Sequence, residues 1–209
     1  MKPRGRHWLA TPGLSAWVTL MAARPDLSAE PLVSGWAGQH WPLVQRRRLR
    51  DDPPDEVPLG LPLPPSHGKR RIAFSLPAAG LSDFMPPPRL QDCMGSAPPH
   101  WRTTLDGLLA LDPAPRCFGG LAWQHLTGLA YLSPQSDLDL IWAMPSNLPE
   151  FLEGLREIAD AAPMPVDGEI NGPNGAVQWR ELTSSAEMLA VKREDAVALL
   201  PRADWLEAA

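Results

Sequence analysis

The feature that most constrains the fold is an acidic apolar stretch, residues 136–142, in which carboxylates alternate with apolar side chains. Successive side chains of an extended strand point to opposite faces, so Asp137 and Asp139 share one face while Leu138 and Leu140 are buried on the other. Two carboxylates this close repel each other and resist desolvation, so a fold gains little from the pair unless a cation lies between them. The stretch therefore predicts a strand that is buried on one side and binds a metal ion on the other.

A glycine pair, Gly119 and Gly120, ends the preceding apolar segment and opens a helix predicted over residues 121–126. Glycine lets the backbone approach a ligand closely, and the first turn of a helix presents free N–H groups to an anion. We call Gly119, Gly120 and the start of this helix the glycine corner. Because the acidic strand follows it, the sequence predicts a phosphate-binding site at the glycine corner, beside a pair of metal-binding carboxylates. The combination indicates phosphoryl or nucleotidyl transfer from a triphosphate, in which Mg²⁺ bridges the phosphates and activates the attacking hydroxyl.

A second acidic strand is predicted over residues 166–170, after a helix over residues 147–162 that Asn147 and Glu150 can cap. Asp167 and Glu169 share a face of this strand, and either could be the third Mg²⁺ ligand. A hairpin through residues 171–182 and a strand over residues 188–191 follow. Residues 195–200 are predicted to form a terminal helix or turn.

The charge distribution divides the chain into two regions. Residues 1–89 contain 12 Lys/Arg and 7 Asp/Glu, whereas residues 90–209 contain 7 Lys/Arg and 17 Asp/Glu. Residues 51–100 hold 12 of the 26 prolines, a composition typical of loops and edge strands. We predict a smaller basic, Pro-rich α+β domain over residues 1–89 and a catalytic domain over residues 90–209, in which helices accompany a mixed sheet.

Two basic clusters in the first domain are candidates to neutralise phosphate charge. One contains Arg47 and Arg48, and the other contains Lys69, Arg70 and Arg71. If the chain continues as a strand through residue 50, alternate arginines share a face and could clamp phosphate oxygens bidentately. The alternative is a solvated basic surface without a ligand.

Several classes of function are disfavoured by what the sequence lacks. No apolar run is long enough to span a bilayer. The basic N-terminal residues are followed by an apolar segment that Pro12, Gly13 and Ser15 interrupt, which is unlike a secretion signal. A cytoplasmic protein is therefore expected. Cys93 and Cys117 are the only cysteines, and neither forms a pair with metal-ligand spacing. A GxSxG nucleophile motif is absent, and so is any nucleic-acid-binding motif.

The order strand, glycine pair, helix, acidic strand is the pattern of the nucleotidyltransferase superfamily related to DNA polymerase β. Within it, the chain resembles the phosphoribosyl-dephospho-CoA transferase of malonate decarboxylase, also called malonate holo-acyl-carrier-protein synthase. The resemblance covers nearly the whole chain and is carried by residues 118–129, 131–132 and 136–140, by 41–44 with Arg47 and Arg48, by 59–62 with 69–71, and by 167–169 with 177–181.

This resemblance implies a polymerase-β-like domain that transfers 2′-(5″-phosphoribosyl)-3′-dephospho-CoA from its triphosphate precursor to a serine of the apo acyl-carrier subunit, with release of pyrophosphate. Asp137 and Asp139 would hold Mg²⁺, with Asp167 or Glu169. One of Asp137, Asp139 and Glu169 would help to remove the serine proton. The substrate would be bound by residues of the glycine corner and the basic clusters, namely Gly119, Gly120, Gln124, Arg47, Arg48, Lys69, Arg70 and Arg71. Trp123 could stack on adenine, although core packing is the favoured interpretation.

Two other functions remain open at this point. One is a different Mg²⁺-dependent nucleotidyltransferase, for example one that adenylylates a protein or a small molecule from ATP. The other is a non-catalytic module that binds a nucleotide or a carrier protein. The second would bind a triphosphate without releasing pyrophosphate.

Overall fold

The computed structural model describes residues 5–207 and divides into two compact units, Met1–Pro87 and Pro88–Ala209. The division falls two residues before the boundary that we predicted between residues 89 and 90. Each unit contains one β-sheet with helices, and the sheet of the second unit is mixed, which confirms the predicted α+β class. None of the helices within residues 5–207 is long and apolar enough to cross a bilayer.

The first unit is built on a five-stranded antiparallel sheet with the order β4-β3-β2-β1-β5. Its elements are β1 Leu9–Pro12, α1 Leu14–Ala23, α2 Pro25–Ser28, α3 Pro31–Ser34, β2 Leu43–Gln45, β3 Glu56–Pro62, β4 Arg71–Pro77 and β5 Leu81–Met85, with short 3₁₀ helices at Trp36–Gln39, Pro65–His67 and Ala78–Gly80. Helix α1 packs on the sheet through Trp17, whose ring lies 5.5 Å from that of Phe74. The Trp17 indole N–H donates to the carbonyl of Val33 at 3.0 Å.

The strand that could have continued through the arginine run ends instead at Gln45. Beyond it the Arg46 side chain donates to the carbonyl of Leu59 and to the carboxylate of Asp52. Asp52 also accepts from the backbone N–H of Leu49, and its own N–H donates to the Leu49 carbonyl, so the chain turns there. These local bonds replace the ladder that a longer strand would have formed, so the condition for alternating arginines, a strand continuing through residue 50, is not met.

The second unit is built on a six-stranded mixed sheet with the order β11-β10-β9-β8-β7-β6, in which β7 and β8 are parallel and every other pair is antiparallel. Its elements are α4 Leu90–Cys93, α5 Arg102–Leu111, β6 Arg116–Phe118, α6 Gly119–Thr127, β7 Leu138–Ala143, α7 Leu148–Ala161, β8 Val166–Gly172, β9 Gly175–Gln178, α8 Trp179–Thr183, β10 Met188–Lys192, β11 Val197–Pro201 and α9 Arg202–Glu207, with 3₁₀ helices at Met94–Ser96 and Pro99–Trp101.

Helix α7 makes the crossover that two parallel strands require. Asn147 caps it as predicted, because its Oδ1 accepts from the Glu150 N–H while its Nδ2 donates to the Glu150 carboxylate at 2.7 Å. The apolar face of the helix lies on the sheet, where the Phe151 ring is 5.9 Å from that of Trp142. This packing fixes the start of β8 beside the start of β7.

The two faces of the sheet differ in character at β7 and β8. Leu138 and Leu140 are fully buried, as the alternation predicts, and Val166 and Ile170 of β8 join them in the core. Cross-strand partners share a face, so Asp139 and its partner Asp167 lie together on the opposite side. The fold therefore places the acidic side chains of two strands next to each other.

Two expectations for the end of the chain were wrong. Residues 195–200 were expected to form a helix or turn, but Val197–Pro201 is a strand, β11, paired along its full length with β10. The second hairpin strand was expected to reach residue 182, but it ends at Gln178, where helix α8 begins. In both places a short apolar run fits helix and strand equally well by pattern, and the sheet pairing decides between them.

Candidate active site

Three aspartates meet at one end of the parallel strand pair. Carboxylate oxygens of Asp137, Asp139 and Asp167 all lie within 4.8 Å of one another. Asp139 and Asp167 are direct partners in the β7–β8 register, and Asp137 precedes the first residue of β7. Asp137 is exposed and the other two side chains are half-buried, so the group is open to a ligand.

The chemistry of this aspartate group fits a hard divalent cation. Mg²⁺ prefers carboxylate oxygens, usually a few of them, and completes its shell with water and substrate phosphate oxygens. Three carboxylates so close together repel one another, and a bound cation would relieve that repulsion. Asp137, Asp139 and Asp167 are therefore the residues that could hold Mg²⁺.

The glycine corner touches this group directly. Phe118, the last residue of β6, pairs with Asp139, and Gly119 follows it with φ = +64° at the first turn of α6. A Cβ atom added to Gly119 would lie 1.8 Å from Asp139 Oδ2, so no other residue fits against this carboxylate. The start of α6 and the acidic strand, predicted separately, thus lie in contact.

Gly120 and Gln124 both lie on α6, and their surroundings differ from those of Gly119. A Cβ atom at Gly120 would lie 3.1 Å from Leu132 Cδ2. The Gln124 side chain donates to the Ser96 carbonyl at 2.7 Å, and its Oε1 accepts from the N–H groups of Tyr131 and Leu132, both at 3.1 Å. These bonds occupy the Gln124 side-chain amide and tie α6 to its neighbouring loops, a structural role rather than the predicted contact with substrate.

Glu169 lies outside the aspartate group. Its side chain is buried, with a relative exposure of 4%, and it accepts from Lys192 Nζ at 2.8 Å. In the β7–β8 register it is opposite Ile141 rather than Asp139. Of the two acids between which the sequence could not choose, Asp167 is the one beside Asp137 and Asp139.

Gln178 holds Asp167, and we had not singled it out from the sequence. Its Nε2 donates to Asp167 Oδ1, which also accepts from the N–H of Gly168 at 2.8 Å. Gln178 lies in the segment 177–181 that carries the family resemblance, but glutamine at a strand end has no distinctive spacing. The sequence predicted the hairpin of β8 and β9, but the side-chain contact from Gln178 to Asp167 could not be seen from it.

A cation of the second unit also lies at this end of β8. The Arg180 guanidinium is exposed, donates to the carbonyl of Val166 at 3.1 Å, and stacks over the Trp179 ring at 4.4 Å. Val166 directly precedes Asp167 in the chain. Arg180 is therefore a cation of the second unit at the start of β8, whereas the basic clusters predicted from the sequence all lie in the first unit.

The predicted basic clusters all lie in the first unit. Arg47 Nε is buried without a hydrogen-bond partner among the described residues, and Arg48 donates to the carbonyls of Pro53 and Glu56. Arg70 forms an ion pair with Glu30. Lys69 and Arg71, on either side of it, are exposed. Their predicted contacts with phosphate stay predictions.

The two cysteines lie fully buried on the core side of the site. A hydrogen bond with Cys93, and then burial, raise the pKa of the Cys117 thiol well above its usual value. A thiol with a raised pKa stays protonated at neutral pH, so it is a poor nucleophile and a poor metal ligand. Trp123 is also buried, beside the ring of Tyr131 at 6.2 Å, which confirms the core-packing interpretation.

Comparison with known proteins gives one consistent family. The profile for the phosphoribosyl-dephospho-CoA transferase MdcG N-terminal domain matches residues 7–87, and the profile for the C-terminal domain of the same family matches residues 89–203. No solved structure matches the chain.

Several curated proteins are similar to this chain over most of its length. A protein of Bradyrhizobium diazoefficiens named phosphoribosyl-dephospho-CoA transferase is 39% identical over 100% of this chain and 95% of its own length. Proteins of the same name from Xanthomonas campestris pv. campestris and Pseudomonas aeruginosa are 36% and 30% identical, over 95% and 77% of this chain and 94% and 78% of their own lengths.

Proposed function

This chain belongs to the phosphoribosyl-dephospho-CoA transferase MdcG family, and from that premise we propose which group it transfers and to what. The group is 2′-(5″-phosphoribosyl)-3′-dephospho-CoA, donated by its 5″-triphosphate precursor. The acceptor is a serine hydroxyl on the apo acyl-carrier subunit of malonate decarboxylase. Pyrophosphate is the second product.

The proposed reaction forms one bond and breaks one bond at the α-phosphorus of the donor. The serine oxygen attacks this phosphorus while the bond to the bridging oxygen of pyrophosphate breaks, and the serine proton passes to a carboxylate. We assign that carboxylate to the aspartate group, because Glu169 is already paired with Lys192. Mg²⁺, held by the same group, would supply charge neutralisation to the phosphates and a lower pKa to the attacking hydroxyl.

Positioning of the triphosphate would fall to the glycine corner. Because Gly119 has no side chain, backbone of the first turn of α6 lies against Asp139, and the free N–H groups of such a turn favour phosphate oxygens. Further positive charge would come from the basic clusters of the first unit, Arg47, Arg48, Lys69, Arg70 and Arg71. The observation that carries the proposal is the contact between this corner and Asp139, one of the three grouped aspartates.

The test is transfer of radiolabelled triphosphate precursor to the apo carrier subunit, with pyrophosphate measured in parallel. We expect Asp137→Asn and Asp139→Asn to lower the rate about 100-fold or more, since each removes a charged metal ligand whose effect is worth several kcal/mol. Asp160→Asn is the matched control, because Asp160 is exposed on α7 and, within residues 5–207, forms an ion pair with Arg156 alone. It should leave transfer unchanged.

Two outcomes would contradict the proposal. Wild-type transfer rates in both variants of the aspartate group would exclude it from the reaction. Efficient labelling of an acceptor from ATP, with none from the triphosphate precursor, would show that the chain is a nucleotidyltransferase with a different donor.

A further inference from the structure

The side-chain amide of Gln178 is fixed at both ends. Its Oε1 accepts from the backbone N–H of Arg180 at 2.6 Å and of Glu181 at 3.3 Å, and thereby caps helix α8. Because both partners are N–H donors, this atom must be the oxygen, so the NH₂ group must face Asp167. The orientation of the amide follows from its partners.

Asp167 is held through a single oxygen. Oδ1 accepts from Gln178 Nε2 and from the N–H of Gly168. Oδ2 accepts no hydrogen bond from any residue between 5 and 207. Two donors on one oxygen fix the plane of the carboxylate and leave the other oxygen available for a ligand.

The two acids of β8 have partners of different charge. Asp167 is bound by a neutral amide, whereas Glu169, two residues further along the same strand, is bound by the ammonium group of Lys192. A cationic partner neutralises a carboxylate and competes with a metal ion for it. A neutral donor orients a carboxylate and leaves its negative charge for the cation.

We propose that Gln178 is a positioning residue that presents Asp167 to the divalent cation as a ligand through one oxygen. The inference rests on the proposed function, because it requires that the aspartate group bind a cation. It assigns a role to a residue that contacts neither the substrate nor the metal ion. It also explains why Asp167 rather than Glu169 belongs to the site.

The variant that tests this is Gln178→Ser. Serine at the first position before a helix is a good cap, so α8 keeps an acceptor for its free N–H groups, but the shorter side chain cannot reach Asp167. The readout is binding of Mn²⁺ to the protein without substrate, measured by electron paramagnetic resonance. We expect the dissociation constant to rise about tenfold, the scale on which loss of such outer contacts weakens metal sites.

A double-mutant cycle separates positioning from a general effect on the fold. In an Asp167→Asn background, Gln178→Ser should have little further effect on Mn²⁺ binding, because the ligand it orients is already impaired. Asn147→Ser at the cap of α7 is the matched control and should leave Mn²⁺ binding unchanged. Circular dichroism melting shows whether each variant is folded.

The outcomes distinguish this inference from the proposed function. Wild-type protein that binds Mn²⁺, together with folded Gln178→Ser that binds it equally well, overturns the role of Gln178 alone. Wild-type protein whose Mn²⁺ binding is absent or insensitive to Asp139→Asn overturns both. If Gln178→Ser does not fold, Gln178→Thr, which also retains a capping oxygen and has no NH₂ group, replaces it with the same expected and contradicting results.

Discussion

At the scale of single residues, Gly119 and Gln178 each contact one carboxylate of the aspartate group. Position 119 requires glycine for two reasons: its backbone is left-handed, and Asp139 Oδ2 occupies the space where a side chain would lie. Gln178 joins the Asp167 carboxylate to the cap of α8 with one amide group. At this scale Asp139 packs against Gly119 and Asp167 is held by Gln178, and contacts of this kind orient the ligands of a metal site.

Gly119→Ala tests this claim at the glycine corner. We expect it to lower the free energy of unfolding by at least about 1–2 kcal/mol, the usual cost of a left-handed backbone for a residue with a Cβ atom. Since the added methyl group also overlaps the Asp139 carboxylate, transfer activity should fall to background even at temperatures where the variant is folded. Chemical denaturation and the transfer assay measure the two effects.

Gly95→Ala is the control for this substitution. No heavy atom lies within 4 Å of a Cβ atom built at Gly95, and its φ is not positive, so neither stability nor activity should change much. A folded and fully active Gly119→Ala protein would show that the contact with Asp139 has no functional role.

At the scale of elements, the sequence predicted the acidic strand, the helix that follows the glycine pair, and the capped helix α7, because each has a local signal. It could not choose between Asp167 and Glu169, since both lie on one face of β8 and only the register with β7 separates them. It also missed Gln178, because the contact of its side chain with Asp167 has no signal in the segment around Gln178. Register and pairing are properties of the assembled sheet.

In the first unit, the pairing of Arg46 with Asp52 also could not be seen from the sequence. This ion pair leads to a prediction about the pH dependence of stability. Hydrogen bonds from the Arg46 guanidinium, at 2.5 and 2.7 Å, lower the pKa of Asp52 to about 2 from 3.8. A depressed pKa in the folded state stabilises the protein above pH 3.8, and this contribution is lost as the pH falls from about 4 to 2. The Arg46–Asp52 pair therefore stabilises the turn that ends β2 at neutral pH but not in acid.

Asp52→Asn should accordingly destabilise the first unit at pH 7 by on the order of 1 kcal/mol, the upper range for a partly exposed ion pair. The difference from wild type should shrink below pH 4 and vanish near pH 2. Urea denaturation at several pH values measures it, with Asp51→Asn, the exposed neighbour, as the control. A difference that is constant between pH 7 and pH 2 would exclude the ion pair as its cause.

At the scale of the whole molecule, charge is divided unevenly between the two units, with a basic first unit and an acidic second unit. The three aspartates and the glycine corner lie in the acidic second unit, and the predicted phosphate-binding clusters lie in the basic first unit. The uneven charge could be read directly from the sequence. The presence of Arg180 beside the acidic strands could not, because it depends on how β8, β9 and α8 fold together.

The account depends on a divalent cation at Asp137, Asp139 and Asp167, and anomalous diffraction from crystals grown with Mn²⁺ and pyrophosphate tests it most directly. We expect a manganese peak about 2 Å from an oxygen of each of the three carboxylates, the distance usual for Mg²⁺-type ligands. An anomalous map without a peak there, or with its only peak at Glu169, would contradict the account.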